Sequence, residues 1–260
     1  MRYETLGAVR IIGPEGPMGV NAHKRRVLLA AFLARSGRVT SMPQLIGEIW
    51  GGDAPRRARA SLHVYVSQLR KVLHHDARER GPIRTEPLGY SFHLGQDEYD
   101  VQDFERLVNA GRHAMSLGDA ATALGRVKEA LALWRGPAFE GVSEGPILTA
   151  YVKWLEEMHL ECLELNVEAH LRLGQHREMV APLHTLTAEH PLREKFYLQL
   201  MLALHRSERQ AEALAVYRTA RRRISRELGV EPCRPLRDAH QAILTGQDAQ
   251  PLSAAGSRGW

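Results

Sequence analysis

Arg56-Arg57-Ala58-Arg59-Ala60-Ser61-Leu62-His63-Val64-Tyr65-Val66-Ser67-Gln68-Leu69-Arg70-Lys71-Val72-Leu73 is the stretch that decides the fold. Ala58, Leu62, Val66, Leu69 and Leu73 recur every three or four residues, the period of a helix with one buried face. At 3.6 residues per turn, Arg56, His63, Ser67, Lys71 and His74 fall on the opposite side, with Arg59 and Arg70 flanking them. The pattern predicts a helix from Arg56 to about His75, apolar on one side and basic on the other. The small residues Ala60 and Ser67 leave that polar side open to close approach.

The flanking segments give this helix its context. Ser41-Met42-Pro43-Gln44 has the form of a capping box, in which a Ser hydroxyl and a Gln side chain satisfy each other's backbone N–H groups. It opens a short helix through Leu45, Ile46, Ile49 and Trp50, stopped by Gly51-Gly52-Asp53-Ala54-Pro55, with Asp53 placed to cap the next helix. Upstream, Ala22–Arg35 is helical in period, and residues 2–12 read as short strands before the turn Gly13–Pro17. Downstream, Ile83-Arg84-Thr85 and Tyr90–Leu94 alternate as a two-stranded ribbon around Glu86-Pro87-Leu88-Gly89. Strand, three helices and a hairpin in that order are a winged helix. One helix of that arrangement enters a DNA major groove, and the hairpin reaches the neighbouring backbone.

Charge supports this reading. The chain carries +5 overall, but residues 1–95 hold 15 Lys/Arg against 7 Asp/Glu, and residues 96–260 hold 20 against 23. A basic front and a near-neutral rear suit a module that meets a polyanion and a module with other duties.

From Asp100 onward the sequence is helix after helix. Asp100 is placed to cap a helix carrying Phe104, Leu107, Val108 and Met115. Gly118-Asp119 turns into Ala120–Trp134, Gly136-Pro137 ends it, and Ile147–Leu173 is a longer apolar-periodic segment. A repeat at an offset of 34 residues aligns Arg172 with Arg206, Glu178 with Glu212, Ala181 with Ala215 and Thr185 with Thr219, the period of tetratricopeptide helix hairpins. The expected architecture is mainly α with a small β component. A winged helix-turn-helix over 1–95 precedes a tetratricopeptide-like helical domain over 96–246 and a disordered tail over 247–260.

Several other classes find no support. No apolar run reaches the roughly 18 residues of a membrane span, and the N-terminus has no signal-peptide core. Two cysteines, Cys162 and Cys233, fit a reducing cytoplasm better than a disulfide framework. The sequence has no phosphate-binding glycine loop and no His-Glu-x-x-His or Cys-x-x-Cys motif, and His74-His75-Asp76 reads as a helix end rather than a metal site. Neither an enzyme nor a cofactor is expected.

Leu45–Gly51, Ala60–Leu73 and Gly89-Tyr90, together with Ala130-Leu131-Ala132-Leu133-Trp134-Arg135-Gly136-Pro137-Ala138 and Glu227-Leu228-Gly229-Val230-Glu231-Pro232, resemble the Streptomyces antibiotic regulatory proteins. These combine an OmpR-type winged helix with a bacterial transcriptional activation domain, and the resemblance covers about residues 1–246. It implies a pathway-specific activator of a secondary-metabolite gene cluster that binds direct repeats at a promoter and recruits RNA polymerase holoenzyme. It implies that Arg56–Leu73 contains the recognition helix, that Arg84–Tyr90 belongs to the wing, and that the loop Trp50–Pro55 lies near polymerase. With the helical pattern, this gives Arg56, Arg59, His63, Ser67, Gln68, Arg70, Lys71, Arg84 and Thr85 as DNA contacts and Glu48 and Asp53 as polymerase contacts. The near-neutral helical half is expected to hold two chains together as a homodimer on double-stranded DNA. Without a receiver domain, aspartyl phosphorylation is not an expected switch. Cys233 stands where the family has Gly after Glu-Pro. Two rival readings are a helical scaffold docking on an acidic protein and a sensor with a ligand pocket in its helices.

Overall fold

The computed structural model describes residues 1–73 and 81–246. His74, the His74-His75-Asp76 cluster and the tail from residue 247 lie outside the described residues. In chain order the elements are β1 (Arg2–Glu4), β2 (Arg10–Gly13), β3 (Gly16–Met18), α1 (His23–Ala34), β4 (Val39–Ser41), α2 (Met42–Trp50), α3 (Ala58–Leu73), β5 (Ile83–Glu86), β6 (Gly89–Phe92) and β7 (Glu98–Tyr99). Seven helices follow: α4 (Asp100–Ser116), α5 (Ala120–Leu131), α6 (Pro146–Arg172), α7 (His176–Glu189), α8 (Glu194–His205), α9 (Gln210–Leu228) and α10 (Arg234–Leu244). They form two compact units, Met1–Leu107 with Glu129–Leu160, and Val108–Lys128 with the chain from Glu161.

In the first unit β3, β2, β1 and β7 make one sheet, β1 pairing antiparallel with β2 and parallel with β7. The Gly13–Pro17 segment read as a turn is a tight hairpin whose outgoing arm is β3. A second sheet, β4-β6-β5, holds the wing. The sequence reading missed β4, whose three residues are too few to show a period. Gly89 is obligatory at its partner position, because a Cβ there would collide with the backbone of Thr40 and Ser41. Helix α1 buries seven consecutive residues, Val27 to Leu33, as a helix surrounded on all sides must. Ser41 and Gln44 form the capping box: the Gln44 N–H donates to Ser41 Oγ and the Ser41 N–H to Gln44 Oε1.

Two carboxylates expected at helix ends do something else. Helix α3 begins at Ala58, after a turn in which the Ala58 N–H donates to Pro55 O, so Asp53 is not its cap and Arg56 precedes the helix. Asp100, at the start of α4, is fully buried and accepts hydrogen bonds from the backbone N–H groups of Thr5 (2.8 Å) and Leu6 (3.0 Å), with Arg135 Nη2 at 3.1 Å. It ties the strand edge after β1 to the helical region, within one unit. Burial raises its carboxyl above the ordinary value, against the opposing hydrogen bonds and Arg135.

In the second unit α7 packs on α8, α8 on α9, and α10 on both α8 and α9. Three of its interhelical turns share one geometry. Asp119, Gln175 and Arg209 each donate a backbone N–H to the carbonyl five residues back, on Ala114, His170 and Leu204. This is the Schellman closure, whose preceding residue takes the left-handed conformation. That residue is Gly118 (φ 83°), Gly174 (φ 78°) and, in the last case, Glu208 (φ 64°). Gly174 and Glu208 are 34 residues apart, so the sequence offset marks equivalent turns. At Cys233 the backbone is extended (φ −59°, ψ 156°), a conformation open to any residue, so the exchange of the family's Gly introduces no strain. Both cysteines are free thiols, and burial pushes that of Cys162 up to about 12.

Candidate nucleic-acid interface

Helix α3 buries Ala58, Leu62, Val66, Leu69 and Leu73, the five positions read as its apolar stripe. The opposite side exposes His63, Ser67 and Lys71, and Arg59 is exposed at its flank, each four residues from the next. Gln68 is half-buried at its margin. Arg56 is exposed in the turn before the helix, outside the helical face to which its spacing assigned it. On the wing, Arg84 and Thr85 are exposed.

Helix and wing meet at Tyr90, a residue sequence reasoning placed in the ribbon but gave no role. Its hydroxyl lies 2.7 Å from His63 Nδ1, and the two rings meet edge to face. Arg70 lies over the Tyr90 ring at 5.8 Å and donates from Nε and Nη2 to the carbonyl of Ile83 (3.2 and 3.1 Å) and from Nη2 to Thr85 Oγ1 (2.8 Å). Arg70 is thus a brace between α3 and β5, with Nε and Nη2 bonded within the protein. Burial raises the Tyr90 hydroxyl above its ordinary value, so it stays protonated and able to donate to His63. Stacking of Phe32 against Phe92 and its edge contact with Tyr90 carry the arrangement into the core.

The loop between α2 and α3 is exposed from Gly51 to Arg57, including Asp53. Trp50 at its root is half-buried, stacked on Tyr65 at 5.9 Å with Lys24 Nζ 5.2 Å from its ring centroid. Glu48, read as a polymerase contact, faces inward instead. It is 4% exposed, and its carboxylate accepts from the N–H groups of Ile147 (2.6 Å) and Leu148 (3.0 Å), capping α6 from a distance. A helix N-terminus has four N–H groups without internal partners, and a buried carboxylate satisfies two of them here. Sequence offered no signal for this, because the partners are about a hundred residues apart.

Val64 was also missed. It is 51% exposed in the middle of the presented face of α3. An apolar residue lay outside a pattern built from charged and polar side chains.

Among the described residues no cluster of three or more His, Cys, Asp or Glu could hold a metal ion, and no helix is long and apolar enough to cross a membrane. A helix with a buried apolar stripe and an exposed basic face, braced to a β-ribbon, defines a DNA-binding winged-helix regulator.

Comparison with known proteins agrees. Residues 21–92 match the family described as transcriptional regulatory protein, C terminal, and residues 99–244 match the bacterial transcriptional activator domain. The chain is 39% identical to regulatory protein AfsR of Streptomyces coelicolor over 98% of its own length and 25% of that relative. It is 36% identical to regulatory protein DnrI of Streptomyces peucetius, over 86% of this chain and 84% of the relative. The chain therefore spans a quarter of AfsR but most of DnrI. A solved structure of Mycobacterium tuberculosis EmbR in complex with a low-affinity phosphopeptide superposes with a TM-score of 0.89 at 30% identity, covering 97% of this chain and 66% of that one. The chain belongs to the Streptomyces antibiotic regulatory protein family of transcriptional activators.

Proposed function

We propose that this activator lays α3 in the major groove of promoter direct repeats, sets its wing on the adjacent backbone, and recruits RNA polymerase holoenzyme to a secondary-metabolite gene cluster. One observation carries the reading: His63, Ser67 and Lys71 are exposed together on the side of α3 opposite its buried stripe, with Arg59 exposed at the flank. Lys71, Arg59 and Arg84 neutralise phosphates, and His63, Ser67 and Gln68 lie where base edges pass. Arg70 and Thr85 contribute by holding the wing in register. The exposed loop around Asp53 is the surface offered to polymerase.

Residues 1–95 are the reader, and residues 96–246 hold a second copy of the chain alongside. A single reader spans a short half-site and depends heavily on phosphate contacts, which weaken with salt. Joining two readers makes the second binding event effectively intramolecular. Footprinting the full chain on the promoters beside its own gene tests the reading. Protection of two repeats in tandem is expected, with much tighter binding to correctly spaced pairs than to one repeat. Equal affinity per site on single and paired repeats removes the coupling, and the absence of any footprint removes the whole proposal.

A further inference from the structure

We propose that the cavity between the end of α1 and the first turns of α6 is a binding site for a small planar aromatic carboxylate. All of it lies within the first unit. Its volume is about 440 Å3, and its lining includes Arg35, Arg38, Gln44, Ile147, Tyr151 and Trp154. That volume falls among small-molecule sites, which run from about 300 to 1,000 Å3. Tyr151 and Trp154, three residues apart on α6, hold their ring centroids 5.2 Å apart at a tilt of 32°. Tyr151 is fixed by a hydrogen bond with Tyr99 and by an edge contact with Phe139 at 5.8 Å. Trp154 is 41% exposed, so a wide aromatic surface stays open beside a rigid neighbour.

The polar groups around this ring pair select an acid. The lining carries two guanidinium groups and, among the described residues, no carboxylate. Arg35 is half-buried and Arg38 exposed, and neither is held in an ion pair among the described residues. Glu48, whose charge Arg35 feels, directs its oxygens to the Ile147 and Leu148 N–H groups. Gln44 Oε1 accepts from the Ser41 N–H and hydroxyl at 3.0 Å each, which leaves the Gln44 NH2 group to donate. Two guanidiniums and an amide therefore offer donors to a ligand whose ring lies against Trp154. A neutral ring leaves both cations unanswered, whereas a carboxylate meets them with planar, charge-assisted hydrogen bonds. Phosphate is disfavoured, because a helix N-terminus holds it through backbone N–H groups, and Glu48 already occupies two of those of α6. The inference is independent of how α3 meets DNA.

Anthracene-2-carboxylate is the probe, titrated with the full chain and read by the fluorescence anisotropy of its ring. Three competitors separate the contributions. The corresponding anthracene alcohol keeps the ring without the charge, cyclohexanecarboxylate keeps the charge without the ring, and adenosine monophosphate exchanges carboxylate for phosphate. The wild type should bind the probe, and none of the three should displace it at equal concentration. Arg38→Gln should weaken binding about tenfold or more, the worth of a hydrogen bond between charged groups. Trp154→Ala should weaken it about two- to tenfold, the worth of an aromatic contact. Both side chains are exposed, so these variants should melt with the wild type, and a thermal scan checks this. Lys128→Gln removes an exposed cation elsewhere and should bind like the wild type. No rise in anisotropy, or unchanged binding by Arg38→Gln and Trp154→Ala, overturns the proposal. So does an equal loss in Lys128→Gln and Arg38→Gln, which marks adsorption to positive charge. Displacement by the alcohol makes the cavity a neutral apolar site, and displacement by adenosine monophosphate makes it a phosphate site; either removes the carboxylate. Displacement by random-sequence duplex DNA assigns the two arginines to the DNA backbone instead.

Discussion

The carboxylate of Glu48 occupies the space that a side chain at Gly145 would need. A Cβ built on Gly145 would collide with the carboxyl carbon and both oxygens of Glu48. Those oxygens accept the Ile147 and Leu148 N–H groups at the start of α6. Gly145→Ala should therefore expel the carboxylate and leave two buried donors unsatisfied. Removing the acceptor by Glu48→Ala should do the same, at about 1–3 kcal/mol in either case. Urea denaturation of the two single variants and the double variant measures this. The double variant should lose little more than either single, because both remove one interaction. Full additivity would show that the two residues act separately.

The same carboxyl makes stability depend on pH. Burial raises Glu48 above its ordinary 4.5, outweighing the two N–H donors and Arg35, which pull it down. The folded protein thus holds this proton more tightly than the unfolded chain. The contribution of the group to stability is full below the unfolded value and is lost as pH rises through the raised folded value. Relative to Glu48→Gln, which does not titrate, the wild type should lose stability across that window and level off above it. Parallel stability curves for the two proteins from pH 4 to 7 would refute the shift.

Arg70 and Lys71 are neighbours with different work. Lys71→Ala removes an exposed charge, so binding should weaken on all sequences and the slope of log affinity against log salt should shrink by about 1. Arg70→Ala removes the brace to Ile83, Thr85 and Tyr90. Its signature is faster amide exchange in β5 and β6, with a smaller change in salt slope than Lys71→Ala. A loss of salt dependence without loosening of the ribbon would make Arg70 a phosphate contact instead.

Asp53 is exposed in the loop after α2. Asp53→Ala should leave DNA affinity unchanged and lower transcript yield in a reconstituted assay with polymerase holoenzyme. Normal activation by this variant, and by substitutions at Gly52 and Ala54, would take the loop out of the polymerase interface.

Glu208 closes the turn between α8 and α9 in a left-handed conformation that the equivalent Gly174 adopts without penalty. Glu208→Gly should stabilise the protein by about 1 kcal/mol, the strain of one left-handed residue, less the entropy that glycine adds to the unfolded chain. A midpoint of thermal unfolding that falls would show that the Glu208 side chain compensates its backbone.

The sequence by itself determined which faces are buried. The stripe Ala58, Leu62, Val66, Leu69 and Leu73, the Ser41–Gln44 capping box, the two wing strands and the 34-residue hairpin spacing are local patterns. Period and capping chemistry act within a turn or two, so they are legible without a partner. The exposure of His63, Ser67 and Lys71 follows from the same period, being the complement of the buried stripe.

Only the tertiary structure decided where polar side chains spend their hydrogen bonds. Glu48 reads as a surface residue of a short helix, and Asp100 as a cap for its own. Each instead satisfies backbone donors about a hundred residues away in the chain. Arg70 sits at the edge of a basic face, yet its guanidinium turns to the wing because the carbonyl of Ile83 and the ring of Tyr90 lie within reach. A charged side chain is long and its period is silent about its partner. Which unsatisfied donor or acceptor it meets depends on how distant segments are brought together, and a buried backbone group without a partner costs enough to decide the outcome.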